Sequence, residues 1–214
     1  MTMENTFWIS SGTALIAGSL LMVVTMVLHP AGGSLEHLLK SSSMIIAAHS
    51  IGIVSIPVII FGFWGLTRFF KATPVLSHLA FSFFTVGALA GVCAAVVNGL
   101  ALPLFIKNYS SATPEIKNTI SPILRYNFAL NHAFDLVLIV TICIAILLWS
   151  VAALKEKSLP RWIGYGGVVI SGSAIVILLT GFSLVDLRGF RLFIFSIVGW
   201  IVAMGFLLKD HKTP

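Results

Sequence analysis

The stretch "MVLHPAGGSLEHLLKSSSMIIAAHS", residues 26–50, joins two long apolar segments and decides how the chain is organised. The first apolar run ends at His29, a short polar segment follows, and a second apolar run begins near Met44. This pattern is typical of a hairpin between two membrane-spanning helices. The hairpin is also rich in histidine, because His29, His37 and His49 are three of the six in the chain.

The composition of the whole chain indicates that its solvent is lipid. Of the 214 residues, 58% are apolar and only 9% are charged, whereas soluble domains contain about 45–50% apolar and about 25% charged residues. The mean hydropathy is +1.05. A soluble protein of this length has no means of burying so much apolar surface, so the sequence predicts an integral membrane protein.

Six segments have the length and composition of membrane spans, which need about 20 apolar residues each. They predict an all-α fold of six transmembrane helices arranged as three hairpins, in a single domain covering residues 1–214. The predicted spans are 7–28, 44–67, 79–106, 128–154, 162–184 and 191–208. The polar segment 107–127 is the only long connection, with room for a short surface helix. The sequence "GLALP", residues 99–103, predicts a helix break near Asn98.

Several classes of protein are excluded or disfavoured by the remaining sequence features. The net charge is +6, but the basic residues lie between apolar runs and form no basic tract, which excludes nucleic-acid binding. Cys93 and Cys143 lie inside apolar runs and form no CxxC pair, so we interpret them as packing residues. The N-terminal run has no basic segment before it and is long enough to span, so we expect a retained first helix rather than a signal peptide.

The distribution of basic residues gives only a small bias for orientation. Seven lie on the side of the termini, which are Arg68, Lys71, Lys155, Lys157, Arg161, Lys209 and Lys212. Six lie on the other side, which are Lys40, Lys107, Lys117, Arg125, Arg188 and Arg191. The positive-inside rule then places both termini in the cytoplasm.

Polar residues recur at one level of the predicted bundle, the interface away from the termini. Counting about 20 residues along each of the first four spans from its opposite end reaches a polar residue, in chain order His29, His49, Asn98 and Asp135. The same count along the fifth span ends near Phe182, one turn short of Asp186, and the sixth span begins at Arg191. The histidine-rich hairpin therefore lies on the side of the membrane where every span brings polarity.

The fourth span carries a polar stripe at helical spacing. Asn127, Asn131 and Asp135 recur at i, i+4 and i+8, so they share one face. His132 and Asp135 are three residues apart and are expected to touch. Because a carboxylate facing lipid is costly, this face is predicted to point into the bundle.

These residues predict a ligand pocket at the non-cytoplasmic face, and its chemistry is open. The pocket candidates are His29, His49, Asn98, Asn131, His132 and Asp135. His29, His49, His132 and Asp135 are ligand types that zinc accepts, with Asp135 as a ligand or as the group that orients His132. Two imidazoles on different helices are also compatible with a b-type haem, and Arg188 and Arg191 with an anionic head group. The alternative reading is that these are interfacial polar residues without a ligand.

The segments "LLMVVTMVLHP" and "AAHSIGIVSIPVIIFGFWGLTRF" resemble those of small, uncharacterised bacterial polytopic membrane proteins, in which a first helix ends in His-Pro. This resemblance covers about the first 70 residues, implies a bacterial inner-membrane protein and supplies no activity. Membrane lipids are the expected partners of a chain with this composition. Histidines and an aspartate near one membrane face are also similar to the ceramidase-type membrane metal hydrolases, although the HxxxH motif of those enzymes is absent.

The functional hypothesis is an inner-membrane protein that binds a small ligand or a metal in this pocket. The sequence does not decide whether it is an enzyme, and it leaves its oligomeric state open. The alternatives are a zinc-dependent intramembrane hydrolase of the ceramidase type and a haem-containing or quinone-linked electron-transfer subunit.

Overall fold

A computed structural model describes residues 3–111 and 113–211, and most of them are helical, with no β-strand in these two ranges. The α-helices are α1 (Met3–Leu28), α2 (Leu35–Phe69), α3 (Pro74–Ala94), α4 (Leu102–Lys107), α5 (Pro114–Lys155), α6 (Arg161–Leu179) and α7 (Leu187–Lys209). A π-helical segment, Ala95–Ala101, joins α3 to α4. Lys212, which enters the charge comparison above, lies outside the described residues.

Six helices are long and apolar enough to cross a membrane, which confirms the predicted fold class and supports a multi-pass membrane protein. These spans are α1, α2, the continuous helix Pro74–Lys107, Glu115–Lys155, α6 and α7. Each span packs against the next one along the chain, and α7 packs back against α1. The six spans therefore surround a common interior, and each span has one face toward its neighbours.

Small residues bring α1 close to both of its neighbours. A Cβ added to Gly62 of α2 would lie 2.7 Å from the backbone nitrogen of Leu15, and one added to Gly205 of α7 would lie 2.9 Å from the carbonyl oxygen of Gly12. Helices in lipid associate through such close backbone approach, because lipid supplies no hydrophobic force between them. The packing of α1 against α2 and α7 therefore depends on glycine at these positions.

The third span contains a π-helical segment where the sequence predicts a break. Pro103 has no N–H, and in a regular α-helix its ring would collide with the carbonyl of Gly99. The chain widens to π geometry over Ala95–Ala101 instead of breaking, and the Leu102 N–H donates to the carbonyl of Val97, five residues back. Such segments are common at functional sites, and this one carries Asn98.

Two helices extend beyond their predicted spans on the side away from the termini. The α2 helix begins at Leu35, where the side chain of Ser34 accepts from the N–H of His37, and α5 begins at Pro114. Together with α4 these extensions bury a second, small apolar cluster, made of Leu35, Leu38, Ile45, Leu102, Ile106 and Ile120. An ion pair between Glu36 and Lys117 joins their exposed sides. The connection 107–127 is therefore largely helical, since its apolar residues have a surface on which to pack.

In the last hairpin, by contrast, α6 is shorter than its predicted span. It ends at Leu179 rather than near residue 184, and Gly181 adopts a positive φ of 81° that turns the chain. Asp186 then caps α7, its Oδ1 accepting from the N–H of Gly189 at 2.7 Å. A non-helical segment thus lies beside α5 at the level where the polar residues were predicted.

Candidate functional site

The ring of helices encloses a cavity of about 410 Å³. Most of its wall is apolar, contributed by side chains such as Met22, Ile59, Ile142 and Ile197. Its deep end is bounded by aromatic rings, since Phe63 lines the cavity and stacks on the buried ring of Trp149 with a centroid distance of 4.5 Å. The size and apolar character are those of a small-molecule pocket.

Polar side chains line the opposite end of the cavity. All six residues proposed from the sequence contribute to its wall, and they come from three spans and one loop: His29, His49, Asn98, Asn131, His132 and Asp135. From His49 to Phe63 is 14 positions of one helix, which corresponds to about 20 Å along its axis. The cavity is therefore long, and its titratable and amide side chains lie at one end. The hydroxyl groups of Thr25 and Ser55 also line it, but they donate to carbonyls of their own helices.

His29 and His49 lie against each other at the polar end. Their ring centroids are 4.7 Å apart and the ring planes are inclined by 57°. Nδ1 of His49 lies 2.8 Å from the carbonyl oxygen of Ile45, and Nδ1 of His29 lies 2.9 Å from that of Pro30. A carbonyl only accepts, so Nδ1 is the protonated nitrogen in both rings, and in the neutral rings Nε2 is an acceptor.

Asp135 is paired along its own helix. It is only 9% exposed, and its Oδ2 accepts from Nδ2 of Asn131 at 2.7 Å. Among the described residues, Oδ1 of Asp135 has no hydrogen-bond donor, and the expected contact with His132 is not a hydrogen bond. His132 is exposed, so the polar stripe presents Asp135 and Asn131 together and leaves His132 at its edge.

The π-helical segment sets the position of two groups at the polar end. Asn98 lines the cavity, and its Oδ1 accepts a long hydrogen bond of 3.5 Å from Nδ2 of Asn127. The next residue, Gly99, is buried directly against His49, and a Cβ added there would lie 2.6 Å from Cδ2 of the imidazole. The absence of a side chain at Gly99 is what allows the ring of His49 to occupy its place.

Arg191 is used structurally at the same level. Its Nε donates to the carbonyl of Met26 at 3.0 Å, and its Nη2 donates to the carbonyl of His29 at 2.8 Å. These carbonyls lie at the C-terminal end of α1, where helical partners are missing. Arg188 is exposed, and neither arginine lines the cavity, so this arrangement does not present them to an anionic head group in the cavity.

The surroundings of His29, which follows the last residue of α1, disfavour its charged form. Burial is the largest cause and lowers its pKa below the ordinary value of 6.5. The hydrogen bond to the carbonyl of Pro30 acts in the opposite direction, and the positive charge of Arg191 lowers the pKa further. The neutral ring with its Nε2 acceptor is therefore the form that this environment favours.

A second cavity, of about 300 Å³, adjoins the first between α5 and the turn after α6. His132 and Val185 line both cavities. The remaining wall is contributed by residues such as Leu136, Leu178 and Phe182. The short α6 thus leaves space beside the polar end of the central cavity.

The donor groups do not fit the cofactors that the sequence allowed. In residues 3–111 and 113–211, no three His, Cys, Asp or Glu side chains are grouped closely enough to hold a metal ion, whereas zinc sites in proteins use three or four ligands. A bis-histidine haem has its porphyrin between two imidazoles, and the direct contact of the His29 and His49 rings leaves no space for one. The zinc and haem hypotheses stay predictions.

Two contributions to the site have no counterpart in the sequence reasoning. The role of Arg191 depends on carbonyls more than 160 residues away in the chain, so no local pattern indicates it. The contact of Gly99 with His49 was indicated only in part by the sequence. The "GLALP" sequence indicates an irregular helix, but it does not identify His49 as the neighbour that packs there.

Comparison of the chain with protein-family models, with curated proteins and with solved structures finds no match.

Proposed function

We propose that this protein binds one small amphiphilic molecule inside the helix ring, with its apolar body in the cavity and its polar end among the six polar side chains. The observation that carries the proposal is the division of one elongated cavity into a polar end and an apolar remainder. A purely apolar ligand would leave buried polar groups without partners, which costs free energy. A purely polar ligand would gain nothing from the apolar wall.

The proposed activity is binding, without a catalytic step. His49 is 7% exposed and Asp135 is 9% exposed, so both are removed from bulk water and available to a bound head group. Polar residues in a membrane protein interior are expensive and usually serve a function. The bilayer itself supplies molecules of the required type, which agrees with membrane lipids as the expected partners.

The test uses hexadecan-1-ol as the probe, because it has one alkyl chain and a small polar end. Radiolabelled hexadecan-1-ol is titrated into the purified full chain in detergent, and bound probe is separated by gel filtration. We expect saturation at about one molecule per chain, since the central cavity, of about 410 Å³, has the six polar side chains at one end, with displacement by unlabelled alcohol. Uptake that rises in proportion to detergent and never saturates would contradict the proposal.

The position of the bound probe is tested by labelling with a photoreactive diazirine placed in the middle of the alkyl chain. We expect competed labelling at Ile59 and Ile142, which line the cavity. Labelling at Leu89, which is 64% exposed on the outer surface of α3, should persist when unlabelled alcohol is added. Competed labelling at Leu89 alone would place the binding site on the outer surface and remove the proposal.

We also propose a bacterial inner-membrane location with both termini in the cytoplasm. The support is the His-Pro resemblance and the seven basic residues on the side of the termini against six on the other. Green fluorescent protein fused after residue 214 is expected to fluoresce in bacterial cells, because it folds in the cytoplasm and not after export in unfolded form. A dark fluorescent-protein fusion, together with an active alkaline phosphatase fused at the same position, would place the C-terminus outside the cytoplasm. That result would reverse the proposed orientation.

A further inference from the structure

We infer that the polar end of the ligand is a hydrogen-bond donor, either an amine or a hydroxyl group, and not a carbonyl or an anion. The inference rests on the proposed binding function and deepens it, because it names the chemical class of the head group. Its basis is the imbalance between acceptors and donors among the side chains at the polar end of the cavity.

At least five acceptor atoms at this end have no protein donor among the described residues. Two are Oδ1 of Asn131 and Oδ2 of Asp186, and the other three carry the argument. They are Oδ1 of Asp135, Nε2 of His49 and Nε2 of His29. The two imidazole nitrogens are acceptors because Nδ1 of each ring already lies at hydrogen-bonding distance from a backbone carbonyl. The carboxyl group of Asp135 has its one donor, Asn131, on the other oxygen.

Donors at the same end are few and mostly engaged. The amide of Asn131 donates to Asp135. Arg191 donates to two carbonyls of α1, and no described residue of the cavity wall is Lys or Arg. The amide of Asn98 and the second N–H of the Asn131 amide are the groups left to donate, fewer than the free acceptors, and the exposed His132 lies at the edge.

Charge and burial also favour a hydrogen-bond donor as the head group of the ligand. His49 and Asp135 are both more than nine-tenths buried, so a buried acceptor that meets another acceptor remains unsatisfied at considerable cost. A carbonyl head, such as that of an ester or a quinone, would face three acceptors. An anionic head would meet the carboxyl group of Asp135 without a cation to balance it, whereas an amine would be attracted to that group.

The experiment compares four probes that share one alkyl chain: hexadecylamine, hexadecan-1-ol, methyl hexadecanoate and hexadecanoate. Each is titrated against the full wild-type chain in detergent, by competition with radiolabelled hexadecan-1-ol. We expect the amine and the alcohol to bind at least about tenfold more tightly than the ester and the acid, the factor that one satisfied hydrogen bond to a buried group supplies. An ester that binds as tightly as the alcohol overturns the inference and leaves the binding function intact. If no probe binds saturably, the binding function itself has failed.

The role of Asp135 is tested with Asp135→Asn, which keeps the shape and an acceptor for Asn131 but removes the charge. We expect the affinity for hexadecylamine to fall about tenfold or more, and that for hexadecan-1-ol to change much less. The matched control is Glu36→Gln, which removes the same charge on the same side of the protein but outside the cavity wall. An equal loss of amine binding in both variants, or no loss in Asp135→Asn, contradicts the role of Asp135. If Asp135→Asn does not fold, the ranking of the four probes on the wild-type chain still decides the inference.

Discussion

Arg191 connects the last helix to the end of the first, and its removal is expected to weaken the fold. The Arg191→Gln variant loses hydrogen bonds to the carbonyls of Met26 and His29. Carbonyls left without partners in a part-buried position cost about 1–3 kcal/mol of unfolding free energy. Thermal or denaturant unfolding in detergent measures this loss. The control is Arg188→Gln, whose exposed side chain should change stability by less than about 0.5 kcal/mol.

The same variant is expected to change the titration of His29. Arg191 is one of the two causes that lower the pKa of His29, and burial is the larger one. Arg191→Gln should therefore raise this pKa while leaving it below 6.5. The imidazole resonances of His29, followed by NMR across pH in detergent, give the value directly. An unchanged pKa would mean that the charge of Arg191 is screened from the ring.

The lowered pKa of His29 also sets the sign of a pH effect on stability. Below pH 6.5 the unfolded chain binds a proton at His29 more readily than the folded protein does, so this residue makes the folded state lose stability as pH falls. Well above pH 6.5 both states are neutral at His29 and the effect disappears. Replacing His29 by Gln should therefore reduce the loss of melting temperature between pH 7 and pH 5. A loss that is the same in wild type and variant would assign the effect to other groups.

Two substitutions of Asp135 test whether its hydrogen bond with Asn131 stabilises the folded protein. Asp135→Asn keeps an acceptor for the Asn131 amide, so stability should fall little. Asp135→Leu leaves that amide without a partner and should cost about 1–3 kcal/mol. Unfolding of both variants in detergent measures the difference. Should Asp135→Leu be as stable as wild type, the pair contributes nothing and Asp135 faces water.

Metal content measured on the same two proteins addresses the zinc hypothesis. A zinc ligand replaced by a neutral amide would lose the metal. Because fewer than three donor side chains are grouped among the described residues, we expect Asp135→Asn to contain the same amount of zinc as wild type. About one zinc per chain in wild type that is lost in the variant would restore the metal site and displace the proposed amphiphile.

At the scale of the helices, the π-helical segment controls the polar end through Gly99. In Gly99→Ala the new Cβ would lie 2.6 Å from Cδ2 of His49 and even closer to the base of that side chain. His49 must therefore move, and overpacking of this kind costs about 1–3 kcal/mol. We expect lower stability together with weaker binding of hexadecan-1-ol. In the control Gly172→Ala, no atom lies within 4 Å of the new Cβ, so stability should be unchanged or slightly higher.

The sequence predicts the level of each polar residue along its helix better than the direction in which it points. A fixed rise per residue places His49, Asn98 and Asp135 at one depth once the ends of the spans are known. Asn131 and His132 are both at contact spacing from Asp135 on the same helix, so the spacing alone does not decide which side chain pairs with it. The rotamers in the structure pair Asp135 with Asn131. The hydrogen bond from Nδ1 of His49 to the carbonyl of Ile45, which identifies the protonated ring nitrogen, is likewise known only from the structure.

The ends of the helices show a second limit of sequence reasoning. Segment 107–127 reads as polar, yet Ile120 and Ile106 bury against Leu38 on the extension of α2. Hydropathy averaged over a span does not detect a cluster to which each helix gives at most three residues. The break predicted near Asn98 was correctly located, but the chain resolves the clash at Pro103 by widening to π geometry.

For the molecule as a whole, the interior of the bundle combines a packed apolar core with a cavity whose wall comes from every span except α6. Each helix is held chiefly by its two neighbours, as α1 is by α2 and α7. The interior is closed by aromatic packing of Phe63, Phe84 and Trp149, which lie toward the termini. Loops and polar side chains form the opposite end of the cavity. Because the polar group of a ligand is held at one end, the length of its alkyl chain determines how deep into the cavity that chain reaches.

Filling the cavity part of the way down should therefore discriminate between ligands by length. Ala88 lines the cavity on α3 and lies ten positions before Asn98, or about 15 Å deeper along the helix. In Ala88→Phe the new ring occupies the space of a long alkyl chain but not that of a short one. We expect the affinity for hexadecan-1-ol to fall about tenfold or more, while octan-1-ol binds as it does to wild type.

The matched control for this prediction is the neighbouring residue on the same helix. Leu89→Phe adds a ring of the same kind at a position that is 64% exposed on the outer surface, so neither alcohol should be affected. Both variants are titrated with both alcohols in the same detergent, and their melting temperatures confirm that each is folded. An equal loss for the two alcohols in Ala88→Phe would indicate a general distortion of the bundle. A length-dependent loss in Leu89→Phe would instead mean that the chain of the ligand lies along the lipid-facing side of α3, because a substitution outside the cavity has no other route to an effect that depends on chain length.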